Sequence, residues 1–197
     1  MYKIENFYGV LEKRLMSTQA KSLIEFTFHT KYSITIFFKM PIKLLGLHGH
    51  LQNAKQFKGK IGGLLHHLKK IGVEIIFIDS PYVVDGNTDD PPLRTWVHNG
   101  STDEAEKAIQ SAKESNPDLC GFFCFSMGSM LALHLAAEAA SNADSPFSWI
   151  KVIVAVSAPF PNSDLSPLLK GFPCTSEIPI LFVIGKTDEI AKPESQK

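Results

Sequence analysis

The sequence has no apolar run close to the roughly 18 residues needed to span a bilayer, and its N-terminus lacks the basic start and apolar block of a signal peptide. Membrane insertion is therefore not expected, and a soluble, cytoplasmic chain is. An excess of either charge is also missing. The 20 basic and 20 acidic residues cancel, which leaves no overall field to attract nucleic acid or an anionic surface. A small neutral substrate suits such a chain better. Cysteine is scarce: Cys120, Cys124 and Cys174 form an odd set with no CxxC pair, which speaks for free thiols in a reducing compartment. No GxGxxG follows an apolar strand, so a dinucleotide pyrophosphate has no glycine cradle. Histidine is missing from one region. All seven, His29, His48, His50, His66, His67, His98 and His134, lie at or before position 134.

What is present can build one sizeable core, since 44% of the 197 residues are hydrophobic. Residues 1–39 differ from the rest, with aromatics scattered among lysines. They read either as an antiparallel hairpin turning near His29 to Lys31 or as a poorly ordered extension ahead of Met40, and the extension is preferred. From 40 to 197 short apolar runs alternate with amphipathic stretches, the pattern of an α/β domain with a mostly parallel sheet covered on both faces. IKLLGLH, VEIIFID, LCGFFCF, KVIVAVS and IPILFVIG are the expected strands. One helix is expected after the first strand, capped by Asn53 and ended by Gly72, with Gly62 and Gly63 packed closely on a neighbour. A second is expected from a Ser101 and Glu104 capping box toward Ser115, and a third over Ser129 to Ser141. Ser80 to Gly100 is too polar and broken for a regular element and reads as a lid or pocket wall.

The chemistry gathers at CFSMG, Cys124 to Gly128, between an expected strand and an expected helix. A nucleophile at such a sharp turn needs small residues two places before and two after it. Gly128 meets that need, and Cys124 stands where glycine is usual. Ser126 is the candidate nucleophile. Its oxyanion requires preplaced N–H donors, which fall to the backbone of Met127 at the helix start and of His50 in the loop LHGHLQN, where Gly49 permits close approach. For an acid, Asp188 in GKTDEIAKPE lies just past the carboxyl end of a strand; a turn or capping aspartate is the competing reading. Tyr82, Trp96 and Phe160 could line an apolar pocket for an acyl chain.

Taken together, LHGHLQN, FIDSPY, Arg94-Thr95-Trp96, CFSMG and GKTDEIAKPE resemble the FSH family of serine hydrolases over Met40 to Lys197. The resemblance implies the α/β-hydrolase fold. It implies carboxylesterase-like cleavage of short or medium acyl esters through a Ser, Asp, His triad, with no metal or organic cofactor. Carried over residue by residue, it gives Ser126 as nucleophile, Asp188 as acid, and His50 and Met127 as oxyanion donors. The small-molecule ester is the one partner it implies, and it leaves the oligomeric state open.

The fold's triad order of Ser, Asp, His asks for a histidine after Asp188, and none follows in EIAKPESQK. His98, in the irregular segment, is the one histidine with a conceivable route to the site. Without a base only the roughly 10³–10⁴-fold effect of oxyanion stabilisation and binding is left. An incomplete copy of such a hydrolase, lacking its C-terminal strand and helix and leaving the Ile178 to Ile184 strand with an open edge, is the first reading. A noncatalytic acyl-binding descendant, or a chain completed by a partner, is the second.

Overall fold

A computed structural model describes residues 41–158 and 178–185. The expectations for residues 1–39, for Phe160 and for Asp188 lie outside the described residues.

Five of the apolar runs form one sheet. They are β1 (Ile42–Leu47), β2 (Val73–Ile78), β5 (Leu119–Phe125), β6 (Val152–Val156) and β7 (Ile180–Val183), in the spatial order β2-β1-β5-β6-β7 with every pairing parallel. Between them lie helices α1 (Ala54–Lys60), α2 (Gly62–Lys70), α3 (Asp103–Ser115) and α4 (Met127–Ser141). Successive strand residues face opposite sides, and β5 shows both faces used. Phe122 and Cys124 join Ile109 of α3 and Leu131 of α4 in one buried cluster. Phe123 and Phe125 meet the ring of Phe57 from α1, with centroids 6.2 and 6.1 Å apart. Phe57 is 2% exposed, and burying a side chain of that size stabilises by about 1.5–3 kcal/mol. Such two-sided burial explains why β1, β5 and β6 are nearly continuous apolar runs.

Helix α4 is apolar almost all round, with Met130 to Leu133, Leu135 and Ala136 buried, as befits a helix inside the core. The chain leaves β1 toward β2 on one side and later returns to place β5 on the other side of β1. The carboxyl ends of β1 and β5 are therefore a topological switch point, where crevices open in sheets of this kind.

Five expectations need correction. The first helix is two, because Ile61 at φ −105 and ψ 15 breaks it. Gly62 and Gly63 pack on nothing; a Cβ at either would find open space, so they mark the break and not a close contact. The Ser80 to Gly100 segment holds a short antiparallel ribbon, β3 (Tyr82–Val83) with β4 (Arg94–Thr95). The cap of α3 is Thr102, whose hydroxyl donates to Glu106 Oε1 at 2.6 Å, while Ser101 Oγ accepts only from Asp103 N–H. Helix α4 also starts two residues earlier than expected, directly after Ser126.

Candidate active site

Ser126 stands at the apex between β5 and α4 with φ 51 and ψ −117. A residue with a Cβ in that region carries about 1–3 kcal/mol of backbone strain, and such strain gathers at functional sites. The surroundings hold it there. Its N–H donates to the Val156 carbonyl at 2.9 Å, tying the turn to β6, and its own carbonyl accepts from Ser129 N–H at 2.9 Å and Met130 N–H at 3.3 Å, opening α4. Two residues on, Gly128 has no room for a side chain: a Cβ there would lie 2.6 Å from the Leu47 carbonyl oxygen and 2.7 Å from that of His48. Two residues before, Cys124 is wholly buried beside β1. Burial pushes its thiol well above the usual range, so it stays protonated and is no rival nucleophile. The turn accommodates cysteine where glycine is usual.

The loop after β1 lies against this apex. A Cβ on Gly49 would come 2.8 Å from Phe125 Cδ1 and 3.4 Å from Ser126 Cβ, so only glycine lets the loop approach so closely. The loop is pinned from several directions. Gln52 Oε1 accepts from Gly49 N–H at 3.2 Å, and the Trp96 indole donates to the His48 carbonyl at 2.8 Å. His48 is fully buried, its Nε2 accepting from Ser80 N–H at 3.1 Å and its Nδ1 lying 2.8 Å from the Gly49 carbonyl. An amide can only donate and a carbonyl only accept, so the ring is the neutral tautomer with its proton on Nδ1. Burial pushes its pKa down, in keeping with that neutral form. Both nitrogens are thus occupied, and His48 serves as a strut. At positions 50 and 127 the backbone N–H groups find no acceptor among the described residues. They belong to the two segments that flank Ser126.

The remaining candidates fare differently. Trp96 is 0% exposed, packed in the core with its ring tilted 36° to that of His48 at a centroid distance of 4.9 Å; it offers no surface to a pocket and instead supports the loop. Tyr82 is half-buried, with its ring stacked 5.5 Å from that of His98 and its hydroxyl accepting from Glu104 N–H at 3.1 Å. It is occupied in anchoring the start of α3. His98 is exposed and contacts Tyr82 and Asn99, not Ser126. No hydrogen bond joins Ser126 Oγ to a histidine among the described residues.

Asn53 caps α1 through Gln56 N–H, as the sequence indicated. Other supporting contacts escaped the sequence reading: Asn53 also donates to the Pro91 and Pro92 carbonyls, while Asp79 accepts from Ala54 N–H at 2.7 Å. Ser80 Oγ donates to the Thr95 carbonyl, and Arg94 donates to the Ser80 carbonyl at 2.7 Å. The signal was the clustering of small polar residues in LHGHLQN and FIDSPY, since buried polar groups must find partners. Among the described residues no cluster of three or more histidine, cysteine or acidic side chains could hold a metal ion, and no helix is long and apolar enough to cross a membrane.

Comparison with known proteins agrees with this geometry. The family model for serine hydrolase (FSH1) matches residues 38–197. An esterase of Anopheles gambiae is 27% identical over 172 residues, covering 76% of this chain and 61% of its own. An esterase of Aedes aegypti is 25% identical over 177 residues, covering 78% and 62%. The chain thus spans about three-fifths of the length of these relatives. A crystal structure of a Bacillus cereus protein superposes with a TM-score of 0.52 at 12% identity, over 94% of this chain and 53% of the other; that likeness speaks for the fold alone. With an all-parallel sheet and a strained serine at its switch point, this chain has the α/β-hydrolase fold and belongs to the FSH1 serine hydrolase family.

Proposed function

We propose that the chain is a carboxylesterase-type hydrolase in which Ser126 is the nucleophile. The observation that carries this reading is the strained φ of 51 at Ser126, kept in place by Gly128 lodged under the β1 carbonyls. In the proposed reaction Ser126 Oγ attacks the ester carbonyl carbon and gives up its proton to a base. The oxyanion is held by the N–H groups of His50 and Met127. Collapse expels the alcohol, which takes a proton, and leaves an acyl-serine that water hydrolyses. Asp188 would orient the base. Short or medium acyl esters are the proposed substrates. The Anopheles gambiae and Aedes aegypti relatives are esterases, and that supports the ester class.

The base is the unfilled role. None of the described histidines is hydrogen-bonded to Ser126 Oγ, and none follows Asp188 in these 197 residues. A preparation of these 197 residues is therefore proposed to acylate slowly, with roughly the 10³–10⁴-fold advantage over water that a site retains without a triad member. The same observation favours a second reading, in which the chain binds acyl groups without turning them over.

A fluorophosphonate probe decides between them, with the modified residue mapped by mass spectrometry. Slow labelling of Ser126, lost in Ser126→Ala and accelerated by added imidazole acting as an exogenous base, is the expected result. No labelling with or without imidazole, in a chain that still binds a fatty acyl ester, would establish the second reading.

A further inference from the structure

Thr95, at the end of β4, has its hydroxyl beside both segments that flank Ser126. Oγ1 lies 3.1 Å from His50 Nδ1, 3.2 Å from Met127 Sδ and 3.3 Å from the Val97 carbonyl oxygen. The residue is 8% exposed. A hydroxyl has one proton to give and two lone pairs to offer. A carbonyl can only accept and is a far better acceptor than a thioether; with the proton given to Val97, Oγ1 is left to accept from His50 Nδ1–H and meets Met127 Sδ without a hydrogen bond. We propose that Thr95 is a positioning residue. Its hydroxyl fixes the His50 ring as the Nδ1–H tautomer, hydrogen-bonding the loop after β1 while packing against the side chain of the first residue of α4, and so sets the separation of the two amides assigned to the oxyanion.

The inference rests on the reading of Ser126 as nucleophile, and the fold supplies a reason for it. The Thr95 backbone is fixed independently, by pairing with Tyr82 in the ribbon and by its carbonyl accepting from Ser80 Oγ. The side chain is therefore held still at the point where it meets His50 and Met127. His50 itself is exposed, and its neighbour Leu51 sits at φ 54; the bonds that pin the loop fall on residues 48, 49 and 52, so at the strained tip the Thr95 contact is the side-chain restraint on His50. Loosening this contact should move an amide that matters only once negative charge develops on the substrate oxygen. The step affected is bond formation at Ser126 and not capture of the ligand.

The test compares Thr95→Val, which keeps the shape and removes the hydroxyl, with Thr95→Ser, which keeps the hydroxyl, in the full chain. Nitrogen-15 NMR reads the His50 tautomer and methyl NMR reads Met127, while fluorophosphonate inactivation is separated into binding and bond formation. Wild type and Thr95→Ser should show the Nδ1–H tautomer at His50. In Thr95→Val that signature should vanish, the Met127 methyl should shift, and the bond-forming rate should fall about tenfold with binding unchanged. A displaced donor costs less than the roughly 10²–10³-fold of a deleted one. The proposal is overturned by a wild-type His50 that is not the Nδ1–H tautomer, by a Thr95→Val rate equal to wild type, or by a loss that Thr95→Ser does not restore. A chain that never labels at Ser126 removes the nucleophile reading; the tautomer and methyl spectra still decide the Thr95 contacts, and need only the folded wild type and Thr95→Ser should Thr95→Val fail to fold.

Discussion

Alanine at position 128 should damage a helix that alanine ordinarily favours. Replacing glycine by alanine inside a helix gains up to about 1 kcal/mol, so propensity alone expects Gly128→Ala to stabilise. The space around Gly128 reverses that sign. An added Cβ would sit 2.6 and 2.7 Å from the carbonyl oxygens of Leu47 and His48, and 2.9 Å from the Leu47 carbonyl carbon. These are backbone atoms at the end of β1, a strand paired on both edges, so no side-chain rotation relieves the clash. Overpacking of this type costs about 1–3 kcal/mol, and the upper part of that range applies where only backbone can move. After subtraction of the propensity gain, a net loss of about 2 kcal/mol is expected. At about 2–4 °C per kcal/mol for a chain of this size, the melting temperature should drop by roughly 4–8 °C. Gly63→Ala is the matched control, because Gly63 is also helical and nothing lies within 4 Å of its Cβ position; it should gain about 0.5 kcal/mol. Urea unfolding of both variants beside wild type measures the difference. If Gly128→Ala unfolds at the wild-type midpoint or above, or if the two variants behave alike, the steric account of the elbow is wrong.

Ser126→Gly should separate strain from chemistry. Glycine adopts φ 51 without the Cβ penalty, so the variant should gain about 0.5–2 kcal/mol in urea unfolding while losing all probe labelling at the elbow; a loss of stability would show that the serine is not strained. His48 predicts a pH dependence. Burial lowers its pKa from the ordinary 6.5, against smaller opposing influences from the Gly49 carbonyl and Asp79 and a lesser reinforcing one from Arg94. The unfolded chain therefore binds the proton first as pH falls. Stability should be full above about pH 6.5 and decline below it, by up to about 1.4 kcal/mol per pH unit until the folded pKa is reached. His48→Asn should be less stable at pH 8 and lose that slope. A wild-type midpoint that is flat or rising between pH 7 and pH 5 would contradict the buried neutral ring.

The elements that could be read from sequence are those whose cause is local. The apolar runs of β1, β5 and β6 are largely buried, those of β2 and β7 at the ends of the sheet order only partly so, and burial on two faces leaves a mark in composition. Where an element depends on one residue's dihedral angles, composition carries no mark. The apolar stripe from Phe57 to Ile71 continues straight through Ile61, so periodicity sees one helix where the backbone makes two. A two-residue ribbon such as Tyr82–Val83 with Arg94–Thr95 is shorter than the alternation needed to detect it. Trp96 looked like a pocket residue because the segment around it is polar. Its indole partner is the carbonyl of His48, 48 residues earlier, a distance at which sequence spacing says nothing. Thr95 is the same case, its partners lying 45 and 32 residues away.

CFSMG itself shows what part of a motif physics requires. The two flanking positions look equivalent in the pattern, and the structure gives them different constraints. Position 128 faces two carbonyl oxygens less than 3 Å from where a Cβ would be, which no side chain can evade. Position 124 lies within β5, paired with Leu47 on one side and Ala155 on the other, and its side chain points into the core cluster. Its requirement is a small apolar group that packs beside Leu47 and Ala155, and a buried thiol meets it. The elbow therefore tolerates a departure from glycine before the serine and should tolerate none after it. That asymmetry explains how a motif that only approximates GxSxG still holds Ser126 at a positive φ.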